Sequence, residues 1–284
     1  MEEYIKLVDA ALDEYLKPSE NEKIYDAMRY SIFAGGKRLR PIIMIMTAKM
    51  LGAEPETVMP FACAMEMIHT YSLIHDDLPS MDNDDLRRGK PTNHKVYGEA
   101  IAILAGDALL TKAFETAASY NVSGVCKKSV LKAMAVLAQS AGADGMIAGQ
   151  VIDIDSKNED EQLLKKLHSL KTGAIIRASG VIGAILAGAD EKQIAAVDYF
   201  CRNIGIAFQI QDDILDVVSS EEELGKPIGS DAENGKSTYI TLFGREKADE
   251  MAEDYTKKAI DSLNIFENNE ELISLAEKLM KRRA

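Results

Sequence analysis

Two aspartate-rich segments, Asp76-Asp77-Leu78-Pro79-Ser80-Met81-Asp82-Asn83-Asp84-Asp85 and Asp212-Asp213-Ile214-Leu215-Asp216, each end a long and otherwise apolar stretch. Carboxylates packed so densely repel one another, and several ionised together beside an apolar surface cost several kcal/mol unless positive charge compensates. The chain must fold so that apolar elements deliver these acids to a cavity or a partner. An all-oxygen donor set of this kind suits a hard divalent cation such as Mg²⁺ or Ca²⁺.

The apolar residues are mostly Ala, Leu, Ile and Met, aromatics reach 6% and Trp is absent. That is the palette of helices rather than strands. Helical spacing of apolar positions recurs at about 3–16, 22–34, 41–51, 56–76, 99–119, 127–149, 160–188, 191–218, 237–264 and 270–282. This predicts an all-α fold of about ten or more helices with no convincing strand. Pro41 suits a first helical position, Gly52 the residue after a helix end and Asp190 an N-cap. With 284 residues, 46% of them hydrophobic, and no low-complexity linker, one domain over 1–284 is expected. The echo between Ala102-Ile103-Leu104-Ala105-Gly106 and Ala184-Ile185-Leu186-Ala187-Gly188 is too short for a repeat and reads as small-residue helix packing.

The net charge of −13 argues against nucleic acid as a partner. No apolar segment reaches the ~18 residues a bilayer span needs, and Met1-Glu2-Glu3-Tyr4 opens no targeting pattern, so a soluble, cytoplasmic protein is expected. Cys63, Cys126 and Cys201 are odd in number and scattered, which reads as buried thiols in a reducing compartment. The polar stretch from Ser219 to Thr238, with Lys226 and Lys236, reads as a flap next to Asp216.

Gln209, Asp212, Asp213 and Asp216 fall at i, i+3, i+4 and i+7, one face of a helix whose other sides carry Ile204, Ala207, Phe208, Ile210, Leu215 and Val218. Gly205, one turn earlier, leaves room beside that stripe. His69, Ser72 and Asp76 make a similar stripe, which Pro79 should end. Asp82 then reaches the neighbourhood of Asp76 only through an irregular turn. A solvated charge run is the alternative for either acidic segment alone. Cations gather at Gly35-Gly36-Lys37-Arg38-Leu39-Arg40-Pro41, at Leu86-Arg87-Arg88-Gly89-Lys90 and at Lys171-Thr172. Arginine forks and lysine charges are what diphosphates need. Each cluster alone also fits a helix end, and the discriminating feature is Arg87-Arg88 directly beside metal-type carboxylates. The pattern implies two phosphate grips, one through metal and one direct, above walls suited to hydrocarbon. No Ser/His/Asp or Cys/His arrangement, dinucleotide loop or P-loop competes.

The run GGKRLRP at 35–41, DDLPSMD at 76–82, LRRGKPT at 86–92, LAGDALL at 104–110, KT at 171–172 and FQIQDDILD at 208–216 resembles the trans-isoprenyl diphosphate synthases of the bacterial short-chain type. The resemblance covers nearly the whole chain. It implies a single-domain isoprenoid-synthase fold around a deep central cavity, a homodimer, and the two acidic motifs facing each other across the mouth. It implies three Mg²⁺ ions, with Mn²⁺ as a substitute, held by Asp76, Asp82 and Asp212 with Asp77, Asp213 and Asp216 in support. By position, Arg87, Lys171, Thr172, Gln209, Lys226 and Lys236 match residues that hold the allylic diphosphate. Lys37, Arg40, His69 and Arg88 match the isopentenyl diphosphate pocket. On residue type alone His69 reads as a core histidine, and its place on the Asp76 face reverses that preference. The implied reaction is ionisation of the allylic C–O bond, head-to-tail attack by isopentenyl diphosphate, and loss of a proton to pyrophosphate. Thr172 and Gln209 oxygens would face the cation. One position departs from the pattern, because Ile240 stands after Lys236-Ser237-Thr238-Tyr239 where the family usually has Pro.

Tyr71 lies five residues before Asp76, about 7–8 Å deeper at the standard helical rise. In the family a bulky residue there floors the cavity at farnesyl length. A five-residue offset turns Tyr71 away from the Asp76 face, and small Ser72 is better aligned. The expected product is farnesyl diphosphate, with geranylgeranyl diphosphate as the alternative. A terpene cyclase would carry an Asn/Ser/Glu second motif, and a non-catalytic subunit would lack an acidic motif; neither holds here.

Overall fold

Periodicity becomes helix almost everywhere in the computed structural model, which describes residues 1–18, 20–155, 160–218 and 237–281. In chain order the helices are α1 (Glu2–Tyr15), α2 (Glu22–Ile32), α3 (Leu39–Met50), α4 (Met59–Asp76), α5 (Asn93–Tyr97), α6 (Glu99–Ala118) and α7 (Lys127–Ala141). They continue with α8 (Met146–Asp155), α9 (Glu161–Lys171), α10 (Gly173–Leu186), α11 (Glu191–Val218), α12 (Tyr239–Phe243), α13 (Arg245–Ser262) and α14 (Glu270–Met280).

The core runs along α3, α4 and α10, which are buried on nearly every side because they carry almost no charge. α4 packs on α6, α10 on α3, α7 and α11, and α11 on α13. Small residues let these helices approach closely. A Cβ at Gly183 would lie 2.6 Å from Met44 O, so α10 touches the α3 backbone there.

The local signals behave mostly as their chemistry dictates. Gly52, at φ +81, closes α3 by donating to Lys49 O at 2.9 Å while Ala53 donates to Ala48 O at 2.9 Å. Asp190 accepts from Gln193 N at 2.8 Å and its own N–H donates to Gln193 Oε1 at 3.0 Å, a reciprocal cap of α11. Pro41 is the third residue of α3 rather than the first. Proline fits there because the first turn's N–H groups have no intrahelical acceptor.

Three predicted helices are broken. The 127–149 stretch divides at 142–145, where a Cβ on Gly145 would lie 2.2 Å from Ser140 O. The 160–188 stretch bends by 46° between α9 and α10. The 237–264 stretch turns at Gly244, φ +77. A strand pair was also not foreseen: Leu86–Arg87 pairs antiparallel with Lys90–Pro91. Arg88 and Gly89 both have positive φ, 53° and 72°, so this is a two-residue hairpin turn too short for any periodicity to show.

Among the described residues no single helix is long and apolar enough to cross a membrane. Cys63 and Cys201 are buried as expected. Cys126 is exposed, because its sulfur caps α7 by accepting from Ser129 N at 3.4 Å.

Candidate active site

α4 delivers the first acidic motif and stops where Pro79 forbids its continuation. The following turn folds back, with Asp82 N–H donating to Asp76 O at 2.9 Å and Asn83 N–H to Leu78 O at 3.1 Å. This is the irregular turn that brings Asp82 beside Asp76. Burial, and then the charge of Asp82, push the Asp76 carboxyl up to about 6, with Lys171 and Arg87 opposing. Asp77 points elsewhere. It is 3% exposed and accepts from Arg87 Nε at 2.7 Å, so it holds an arginine.

The basic loop before α3 splits into two roles. Arg38 is an αL residue, φ 47°, and its buried guanidinium is satisfied by Glu66 Oε1 at 2.9 Å, Asp9 Oδ1 at 2.8 Å and Ile32 O at 2.7 Å. It anchors the loop. Arg40 carries a buried Nε without a hydrogen-bond partner, and burial lowers its pKa to about 10 although Glu66 and Asp212 favour its charge. An unmet buried guanidinium N–H is what an anion would satisfy. Lys37 is exposed on the same loop. Arg88 reaches Gly35 O and packs its guanidinium against the Gly36 backbone, whose φ of +133 favours glycine. His69 is held well below the usual histidine range, first by burial and then by Arg40 and Arg88. It is therefore a neutral imidazole at pH 7.

Lys171 ends α9 and Thr172 stands at the bend into α10, so the pair sits on a corner rather than inside one helix. Lys171 Nζ donates to Asp153 Oδ2 at 2.6 Å. On α11, Gln209 donates to Asp212 Oδ2 at 3.1 Å. Asp213 accepts from Tyr239 N at 2.7 Å and so fixes the start of α12, and Asp216 is 6% exposed. The room beside Gly205 is occupied by Gly173 Cα, 3.5 Å from where a Cβ would stand. Ile240 is the second residue of α12, whose start is capped by Thr238 and Thr241 without proline. Lys226, Lys236 and most of the Ser219–Thr238 stretch lie outside the described residues.

One cavity of about 360 Å³ collects much of this set: Arg40, His69, Tyr71, Ser72, Asp76, Lys171 and Thr172 line it. Tyr71 faces it despite the five-residue offset, 6% exposed and edge-on to His75 at 5.7 Å. A long aromatic side chain on a wide wall escapes the stripe argument that favoured Ser72. Burial, and then Asp76, push the Tyr71 phenol up to about 12. The opposite wall is α8, through Met146, Ile147, Gln150, Val151 and Ile154. α8 supplies what the sequence reading missed: Gln150 Nε2 donates to Asp76 Oδ1 at 2.6 Å, and Asp153 holds Lys171. The available signal was a polar pair at i and i+3 inside the apolar run from Met146 to Ile154. Among the described residues, no three His, Cys, Asp or Glu side chains stand together as a metal cage.

Helices around an apolar cavity with acids and bases at one end define a class, an all-α protein for ligands part anionic and part hydrocarbon. The family model described as polyprenyl synthetase matches residues 21–279. The chain is 48% identical over 253 residues to the farnesyl diphosphate synthase of Geobacillus stearothermophilus, covering 88% of this chain and 85% of that one. It is 50% identical over 270 residues to the chloroplastic heterodimeric geranylgeranyl pyrophosphate synthase large subunit 1 of Arabidopsis thaliana, covering 93% and 73%. Its structure is similar to an apo FPP/GFPP synthase from Zymomonas mobilis, with a TM-score of 0.88 at 35% identity over 98% of this chain and 96% of that one. The chain belongs to the polyprenyl synthetase family. It is a prenyltransferase of prenyl chain elongation.

Proposed function

We propose that the protein condenses isopentenyl diphosphate head to tail with dimethylallyl and then geranyl diphosphate and stops at farnesyl diphosphate, as a Mg²⁺-dependent cytoplasmic homodimer. The observation that carries this reading is the single cavity lined by Asp76, Lys171, Arg40 and His69 together with Tyr71 and the apolar face of α8.

The residues fit Mg²⁺. Asp76, Asp82 and Asp212 offer only hard oxygen donors, and Asp76 is buried beside Asp82, where a cation would offset both burial and repulsion. Mg²⁺ is usually held by one or two carboxylates plus substrate phosphates, not by an all-protein cage, which suits the dispersed acids. When bound, it supplies charge neutralisation on the departing pyrophosphate.

Arg87, steadied by Asp77, and Lys171 hold the allylic diphosphate directly. Its C–O bond breaks with the electron pair passing to pyrophosphate, and the apolar cavity wall offers the resulting cation no nucleophile. The Thr172 hydroxyl and the Gln209 carbonyl oxygen face that cation. Lys37, Arg40, His69 and Arg88 hold the second diphosphate without metal. The isopentenyl double bond attacks the cation, a new C–C bond forms, and the proton released goes to pyrophosphate. Tyr71 floors the cavity, which supports the farnesyl product. Small Ser72 on the same wall is what favours the geranylgeranyl alternative.

Exposed apolar side chains on α6 and α7 support self-association: Leu104 is 53% exposed and Leu131 72%. The three unpaired cysteines support a reducing compartment. Geranyl diphosphate incubated with Mg²⁺, with and without isopentenyl diphosphate, tests the reaction. Farnesyl diphosphate should form only when both substrates are present. A hydrocarbon or alcohol released from geranyl diphosphate alone, at the rate seen with both, would reject elongation in favour of a cyclase.

A further inference from the structure

On α8, Gln150 and Asp153 are polar residues on a helix whose Met146, Ile147, Val151 and Ile154 form a hydrocarbon wall. Polar groups beside such a wall cost free energy unless their hydrogen bonds are met. Here they meet the charges at the cavity mouth. Gln150 Nε2 donates to Asp76 Oδ1 at 2.6 Å, and Asp153 Oδ2 accepts from Lys171 Nζ at 2.6 Å. Because i and i+3 share a helix face, one rigid element grips a carboxylate from α4 and an ammonium from α9.

The register of that grip is fixed by contact between backbones. A Cβ on Gly149 would lie 2.2 Å from Lys171 N and 2.5 Å from Lys171 Cα, so α8 lies directly against the Lys171 peptide. The Asp153 and Lys171 side chains are 10% and 27% exposed, which shields their pair from water. An ammonium has three donors, so a bond to Asp153 steers Lys171 and leaves it donors for an anion. Gln150, by taking Oδ1 of Asp76, sets the direction in which Oδ2 turns.

We infer that Gln150 and Asp153 are positioning residues that preset Asp76 relative to Lys171, so that one allylic diphosphate meets a carboxylate-held cation and a direct cation together. The inference rests on the diphosphate reading of this site. It concerns the allylic grip, because the two hydrogen bonds run to Asp76 and Lys171.

Calorimetric titration of unreactive geranyl thiolodiphosphate with Mg²⁺ tests it without turnover. Gln150→Ala and Asp153→Asn should each weaken that binding about 10-fold, the scale of losing a group that orients a ligand-holding side chain. Isopentenyl diphosphate KM should stay at the wild-type value, the melting temperature should fall by only a few degrees, and Asp153→Glu should recover most of the lost affinity. The double variant should lose less than the sum of the single losses, because both residues serve one ligand. Wild-type affinity in both single variants of an active enzyme overturns the inference alone. So does a loss shared equally by isopentenyl diphosphate, which marks general damage to the fold. Wild-type protein that condenses no allylic diphosphate overturns the diphosphate reading and this inference with it.

Discussion

Arg87 places both Nε and Nη2 on one oxygen of Asp77, at 2.7 Å and 2.5 Å. The pair divides the two adjacent aspartates of the first motif between different tasks. Asp76 faces the cavity, and Asp77 is buried as the support of an arginine. Asp77→Ala leaves a half-buried guanidinium with Asp84 at 3.4 Å in place of its main partner and should cost about 1–3 kcal/mol of stability. It should also lower activity about 10–100-fold through Arg87. The check is a double-mutant cycle: in an Arg87→Ala background, Asp77→Ala should remove little further activity.

His168 gives the protein an acid-sensitive side. It packs against Tyr239 with ring centroids 5.4 Å apart, its Nδ1 is buried without a hydrogen-bond partner, and burial holds its pKa down at about 4. In the unfolded chain a histidine titrates at about 6.5. Between those values the unfolded state binds the extra proton, so stability is present above about 6.5 and is lost as pH falls toward 4. The loss is at most about 1.4 kcal/mol per pH unit for one group. Asp76 acts oppositely, since its raised pKa makes deprotonation costly as pH rises through about 6. Urea midpoints of wild type and His168→Phe at several pH values separate the two. The wild type should lose more stability on acidification than the variant does.

Gly106 accommodates His75. A Cβ there would lie 2.1 Å from His75 Nε2, which now sits 3.1 Å from Ile103 O. Gly106→Ala must push the imidazole toward the cavity it lines. Overpacking should cost about 1–3 kcal/mol. The narrowed cavity should raise the share of geranyl diphosphate among the products, read by chromatography.

Much of this was legible in the sequence because it follows from local rules. The stripe His69-Ser72-Asp76, the break at Pro79 and the return of Asp82 need only helical geometry and proline chemistry. The bends at Thr172 and Gly244 were not legible, since apolar periodicity runs through them. The hairpin at Leu86–Pro91 was hidden by its size. Gln150 and Asp153 were missed for a different reason: their importance lies in Asp76 and Lys171, which come from other helices, and only tertiary packing brings the three segments together. Nor does the basic run at 35–41 show in sequence which of its cations anchors the loop. In the fold, buried Glu66 claims Arg38, and the backbone N–H of Tyr239 donates to Asp213.

The central claim is that Tyr71 closes a hydrocarbon cavity beneath Asp76 and Lys171. Product length measures this most directly. Purified wild-type protein with Mg²⁺, isopentenyl diphosphate and dimethylallyl, geranyl or farnesyl diphosphate in turn is predicted to extend the first two to farnesyl diphosphate and to leave the third unextended. Tyr71→Ala is predicted to extend all three to geranylgeranyl diphosphate. The same product lengths from both proteins, or inactivity of the wild type with every starter, would contradict it.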